Sequence, residues 1–247
     1  ASNFPLAFSV AGGDAASALA SGNPVVAKGH PAHPHTCAMI ESAVKEALKK
    51  CKLSEDIFNV VQGVNPQITH WLASNPDIQA IGFTGSEAVR RILIKISSER
   101  EVPIPVFAEM GSLNPVFITK AAIAERSAEL AKGLVDSALL GSGQFCTKPG
   151  LIFVPNGASG FLDEIADYLA TLKVGPLLSA SIAKRYSKAI TEIAASGDVK
   201  VLNGQGNASG FGVTPTLFIT DWATAQKYHD LVLIVRFGEG LRAQRAE

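Results

Sequence analysis

Two hydrophobic rhythms alternate along the first half of this chain. Ala15–Ser21 is a small, alanine-rich stretch that favours helix and stops at Gly22, and Pro24–Ala27 follows as a short strand. Thr36–Lys50 carries apolar residues at helical spacing, with lysines in its last turn where cations suit the helix dipole. Ile57–Val61 reads as a β-branched strand, Gln67–Ala73 as a short helix, Ile78–Phe83 as a strand and Glu87–Ile96 as a helix. Short apolar strands alternating with helices predict βαβ units and a parallel sheet, which binds ligands beyond the carboxyl ends of its strands. From Glu109 the pattern changes. Pro115–Thr119 is strand-like, Ala121–Leu140 a long helix, Leu151–Val154 a strand and Gly160–Leu172 a helix. Residues 173–247 are less regular, with strands broken by a glycine-rich loop around Gly204 to Gly212. The change of pattern divides the chain into a domain over 1–109 and another over 110–247.

Composition narrows the class. The chain has 247 residues, 47% hydrophobic and 18% charged, enough apolar content for a packed α/β core. Its 22 basic and 22 acidic residues cancel, which leaves no electrostatic footprint for nucleic acid or a membrane surface. The late apolar run Leu231–Val235 is too short to span a bilayer. No secretory leader pattern opens the sequence. Cys37, Cys51 and Cys146 form neither a disulfide framework nor a metal-ligand spacing, so no metal and a reducing, cytoplasmic setting are expected.

Candidate chemistry sits on a few turns. Gly143-Gln144-Phe145-Cys146-Thr147-Lys148-Pro149-Gly150 places one cysteine in a glycine-flanked turn after the long helix. A thiol attacks only as thiolate, so the residues alone leave two readings even: a nucleophile in a turn that assists it, or a small buried hydrophobe. Glu109 ends the apolar run Pro105-Val106-Phe107-Ala108 before a glycine turn. It is either a solvated strand end or, enclosed in apolar surroundings, a general base. Lys28 and Gly85-Ser86 both close predicted strands, where a parallel sheet meets its ligands, although a lysine is most often a surface charge. Asn3 reads by itself as a turn or helix cap. His30 and His33 shape a turn or stand exposed, with no third ligand to complete a metal site.

In this order and spacing, Asn3-Phe4-Pro5, Val26-Ala27-Lys28-Gly29-His30-Pro31, Gly82-Phe83-Thr84-Gly85-Ser86, Phe107-Ala108-Glu109-Met110-Gly111 and the Cys146 turn resemble the aldehyde dehydrogenase superfamily, from residue 1 to about residue 220. The likeness is nearest to its NADP-linked bacterial branch, which acts on α-ketoglutaric semialdehyde and on fatty aldehydes. The resemblance implies an incomplete α/β fold, with a Rossmann-like parallel-sheet cofactor domain over 1–109 and an α/β catalytic domain over 110–247. It implies oxidation of an aldehyde, such as α-ketoglutaric semialdehyde, to a carboxylate through a cysteine thioester. Cys146 would be the nucleophile, Asn3 and the Cys146 N–H would hold the oxyanion, and Glu109 would activate the hydrolytic water. Lys28, Gly85, Ser86, Phe4 and Pro5 would bind the cofactor. The implied partners are a small aldehyde and further copies of the chain in a homo-oligomer.

Three departures from the family pattern matter. Many NAD-preferring relatives carry an acidic residue three positions after the lysine. Here that residue is Pro31, which has no carboxylate to repel a 2′-phosphate, so NADP is expected ahead of NAD. Four residues after Ser86 the family usually has glycine, and this chain has Arg90. After Pro215–Phe218 the family has a Glu-Glu-(Val/Ile)-Phe-Gly-Pro segment whose glutamate holds the nicotinamide ribose. Here Tyr228-His229-Asp230 runs straight into Leu231. Family members are roughly twice this long, so the chain reads as partial. Three rival readings stand beside the main one. A CoA-acylating dehydrogenase is disfavoured by Glu109. A thiol hydrolase would need a histidine partner for Cys146, and no histidine lies in a comparable motif. A non-catalytic piece would keep the core for binding or assembly.

Overall fold

A computed structural model of the chain describes residues 6–197, 199–204, 208–221 and 233–237, in two compact units, Ala1–Gly111 and Ser112–Glu247. The first unit opens with helices α1 (Phe8–Ala11) and α2 (Gly13–Ala20). Strand β1 (Val25–Lys28), helix α3 (Pro34–Lys50) and strand β2 (Phe58–Val61) follow. Helix α4 (Gln67–Ser74), strand β3 (Ile81–Thr84), helix α5 (Glu87–Ser98) and strand β4 (Val106–Glu109) complete it. The strands pair in two parallel ladders, Val25 opposite Phe58 in β1–β2 and Ile81 opposite Val106 in β3–β4.

Helix α3 forms where the spacing demanded it. Cys37, Ile40, Val44 and Leu48 fall on one face and pack with Phe58, Val10 and Ala15, while Pro34 opens the helix and Lys49 and Lys50 close it. Glu41 on its flank accepts the Val60 N–H at 3.0 Å and pairs with Lys45 at 2.9 Å. Burial pushes the carboxyl up, but the Val60 N–H and the Lys45 ammonium together hold it below its ordinary value.

The second unit runs through β5 (Val116–Phe117), α6 (Lys120–Leu139), β6 (Leu151–Pro155), α7 (Ser159–Thr171), α8 (Ala180–Ala195), β7 (Lys200–Asn203), β8 (Ala208–Ser209), β9 (Gly212–Val213), β10 (Leu217–Asp221) and β11 (Leu233–Phe237). Five strands form one sheet in the order β5-β6-β11-β10-β7, parallel throughout except for β7 against β10. Strand β6 is buried along its whole length because both its faces are covered. Ile152 and Val154 join Leu217 and Ile219 of β10 in a core with Leu134 and Val135 of α6 and Phe161 and Ile165 of α7. Leu151 and Phe153 alternate to the other face, where Phe218 meets Ile190 and Ile193 of α8.

Two local readings are corrected. Helix α8 lies in the stretch read from sequence as irregular; Ser179 caps it by accepting the Ile182 N–H at 3.3 Å. The strand expected from Ile78 begins at Ile81, because Ile78 is held in a turn by Asn75, whose carbonyl accepts its N–H at 3.2 Å. No helix among the described residues is long and apolar enough to cross a membrane.

Candidate active site

In the first unit, Lys28 stands at the carboxyl end of β1 and donates to the Gly63 carbonyl at 2.9 Å. Burial lowers its ammonium below the ordinary lysine value, partly offset by Cys37. The turn after it carries His30 and His33 stacked with ring centroids 5.3 Å apart. Burial, then His33 and Lys28, lowers His30 to about 4. His33 is buried, and its Nδ1 lies 3.5 Å from the Sγ of fully buried Cys37. Pro31 is exposed, and no acidic residue occurs between Lys28 and Cys37.

Gly85 and Ser86 lie exposed at the start of α5, where Ser86 occupies the N-cap position without using its hydroxyl to cap. The Gly85 N–H donates to the Glu109 carbonyl at 3.1 Å. The first-turn N–H groups of α5 therefore face outward beside a spare hydroxyl, an arrangement that suits a phosphate. Arg90 shares the buried face of α5 with Leu93 and Ser97, and its Nε has no hydrogen-bond partner among the described residues. Glu109 ends β4 and is exposed; Phe107, on the same strand face, is 66% exposed. The apolar run before Glu109 therefore does not enclose the carboxylate, contrary to the setting expected for it, because strand alternation puts Phe107 outward as well.

In the second unit, Cys146 is exposed and free. It follows a left-handed passage in which Gly141, Ser142 and Gly143 have φ of 59, 59 and 72°. Two glycines make this run affordable, and only Ser142 carries a side chain in it. Gln144 anchors the turn, donating to the Gly141 carbonyl at 3.0 Å and accepting the Leu178 N–H at 3.0 Å. On the other side, Ser112 Oγ and Asn114 Nδ2 both donate to the Cys146 carbonyl, the latter at 2.6 Å, and Asn114 Nδ2 also reaches the Lys148 carbonyl at 2.9 Å. Sequence reasoning passed over Ser112, Asn114 and Gln144. The one signal for them is the placing of polar residues inside the two glycine turns already singled out. Gly143, Gln144 and Lys148 also wall a largely apolar cavity of about 220 Å³ with Leu134, Leu169 and Leu217. Cys146 is not among its lining residues, so this is not the space in front of the thiol.

Asn3, Phe4 and Pro5 lie outside the described residues. Among the described residues no cluster of three or more His, Cys, Asp or Glu side chains could hold a metal ion.

Comparison with known proteins identifies the family. Residues 2–227 match the aldehyde dehydrogenase family. The chain is 46% identical over 188 residues to alpha-ketoglutaric semialdehyde dehydrogenase 2 of Azospirillum brasilense, covering 75% of this chain and 36% of that protein. It is 38% identical over 192 residues to the alpha-ketoglutaric semialdehyde dehydrogenase of Acinetobacter baylyi, covering 77% and 36%. The matched region thus spans little more than a third of the length of these curated relatives. A crystal structure of glyceraldehyde-3-phosphate dehydrogenase from Methanocaldococcus jannaschii, complexed with NADP, superposes with a TM-score of 0.78 at 23% identity, over 91% of this chain and 50% of that one. At that identity the superposition speaks for a shared fold alone. With residues 2–227 of its 247 matched, this chain belongs to the aldehyde dehydrogenase family.

Proposed function

We propose that the chain is the cofactor-binding and nucleophile-bearing part of an enzyme that oxidises a semialdehyde, such as α-ketoglutaric semialdehyde, to its carboxylate, with NADP preferred to NAD. The observation that carries this reading is Cys146: an exposed thiol on a turn whose backbone is hydrogen-bonded from both sides. The names of the two semialdehyde dehydrogenases quoted above support the substrate class.

The residues present fit a nicotinamide dinucleotide. Ser86 and the open start of α5 would take the pyrophosphate, and Lys28 the adenosine ribose. The Pro31 turn carries no carboxylate to repel a 2′-phosphate. The nicotinamide, when bound, supplies the hydride acceptor. The chain supplies the rest. The Cys146 thiolate adds to the aldehyde carbon, so the S–C bond forms and the carbonyl oxygen becomes an oxyanion. The Cys146 N–H and the Asn3 amide hold that oxyanion until the thioester is made. Glu109 takes a proton from water, which attacks the thioester carbon, and the thiolate leaves as the carboxylic acid forms.

Two variants test the division of labour. Cys146→Ala abolishes aldehyde oxidation, and iodoacetamide labels Cys146 ahead of Cys51 and buried Cys37 in the unaltered chain. Glu109→Gln keeps a burst of about one reduced cofactor per site and then stalls with the acyl group on Cys146, because loss of a general base costs about 10²–10⁴-fold in the water step. Unchanged turnover in Cys146→Ala would remove the thioester mechanism. Loss of the burst in Glu109→Gln would move the glutamate to an earlier step.

A further inference from the structure

The segment Ser112-Leu113-Asn114 is stitched to the cysteine turn more closely than a connection requires. The Leu113 carbonyl accepts the Gly150 and Leu151 N–H groups at 2.7 and 3.2 Å, and this pairing leads into the β5–β6 ladder, Val116 opposite Ile152. Those bonds hold the sheet. The Asn114 amide does something separate: it reaches past the ladder to the Cys146 and Lys148 carbonyls, while Ser112 Oγ lies 3.0 Å from the same amide and donates to the Cys146 carbonyl. The turn from Phe145 to Lys148 is closed by a backbone bond, Lys148 N–H to the Phe145 carbonyl at 3.2 Å. Asn114 itself sits in the left-handed region at φ 42°, a conformation asparagine tolerates better than other side-chain-bearing residues.

We infer that Asn114, seconded by Ser112, is the positioning residue for the nucleophile: by holding the carbonyl of Cys146 it fixes the backbone torsion that carries the thiol. This rests on the function proposed above. Peptide planarity gives the clamp its leverage. With the Cys146 oxygen held toward Ser112 and Asn114, the Thr147 N–H must point to the opposite side of the same plane, and Cys146 cannot rotate without breaking two hydrogen bonds. An attacking group held in one orientation gains rate and affinity that a mobile one loses. The donors also occupy the carbonyl oxygen of the nucleophile's own residue.

The test reads the turn and the chemistry separately. Asn114→Gly keeps the left-handed backbone and loses the amide; Asn114→Asp keeps the shape and replaces the donors with oxygens facing two carbonyls. Hydrogen exchange reports the order of residues 144–151. Protection of Cys146 from iodoacetamide by succinic semialdehyde reports the reversible thiohemiacetal, in which an S–C bond forms and the carbonyl oxygen gains a proton. Alkylation of exposed Cys51 in the same molecule is the reference. Both variants should raise exchange in 144–151 while β10 stays protected. The semialdehyde concentration for half-protection should rise about tenfold, in line with the loss of one to two hydrogen bonds, with Cys51 alkylation unchanged. Unaltered exchange in 144–151 overturns the inference, as does raised exchange with unaltered half-protection, which would make the clamp serve the loop alone. If the semialdehyde fails to protect Cys146 in the unaltered chain, the proposed function falls and exchange alone decides whether Asn114 orders the turn.

Discussion

Replacing Gly150 by alanine puts a methyl group where the structure has no room for one. A Cβ built there lies 2.7 Å from the Leu113 carbonyl oxygen and 3.3 Å from its carbon, both backbone atoms. Ordinary contact begins near 3.4 Å, so the two segments must part by roughly 0.7 Å. That movement stretches the 2.7 Å bond from Gly150 N–H to Leu113 beyond useful range and loosens the Leu151 bond beside it. Overpacking costs about 1–3 kcal/mol and each hydrogen bond about 1 kcal/mol, so the total is about 3 kcal/mol. For a unit the size of Ser112–Glu247 this corresponds to a melting transition about 10 °C lower. Gly160, in α7, is the internal control: nothing lies within 4 Å of a Cβ there, so Gly160→Ala should hold or slightly raise the transition. Calorimetry on the two variants decides the matter. A Gly150→Ala chain melting within about 2 °C of the unaltered one would show that the approach of Leu113 to Gly150 is not held closely, and the account of how the cysteine turn is anchored would fail with it.

Two further outcomes follow from the first unit. Pro31→Glu should move cofactor preference from NADP toward NAD in paired kcat/KM measurements, because a carboxylate there repels a 2′-phosphate and can bind ribose hydroxyls; a native preference for NAD would refute the reading of the Lys28 turn. His30 is lowered to about 4 by burial, then by His33 and Lys28, while an unfolded imidazole titrates near 6.5. The unfolded chain therefore takes up the proton first, so stability is full above about pH 6.5 and declines as pH falls toward 4. The full shift corresponds to about 3 kcal/mol, reduced to about 1–2 kcal/mol by solvent at a half-buried ring. His30→Gln should flatten this part of the pH–melting curve, and an unchanged slope would refute it.

What the sequence disclosed depended on how local the cause was. Helix α3 was legible because Cys37, Ile40, Val44 and Leu48 repeat at helical spacing before a lysine finish, although its proline start at Pro34 was not read. Strand β6 was legible as an unbroken apolar run, and the all-round burial of Leu151 to Pro155 explains why no alternation marked it. Helix α8 was not, since Ala183, Tyr186, Ile190 and Ile193 are separated by serines, lysines and small residues that dilute the apolar face. The turn bearing Cys146 could be found from its glycines. The partners that hold it could not, because Asn114 lies 32 residues from Cys146 and only the β5–β6 pairing brings them together. Glu109 shows the opposite error: an apolar neighbourhood in sequence became an exposed one in space once Phe107 pointed outward.

The strand order of the second unit has a consequence for synthesis. Its central strand, β11, is the last of the five to leave the ribosome, and it lies between β6 and β10, pairing Leu233 with both Leu151 and Phe218. At about 5–20 residues per second, the nascent chain carries β6 with the edge away from β5 open for on the order of ten seconds before β11 exists. Near the end of that interval, once β10 is made, two apolar strands stand with open inner edges and cannot join directly in their final register. The unit therefore cannot mature from its amino-terminal end forward; it closes from the middle, late, and all at once. A chain halted after β10 and before β11 would expose two adhesive strand edges, which makes this the natural point for a chaperone to act.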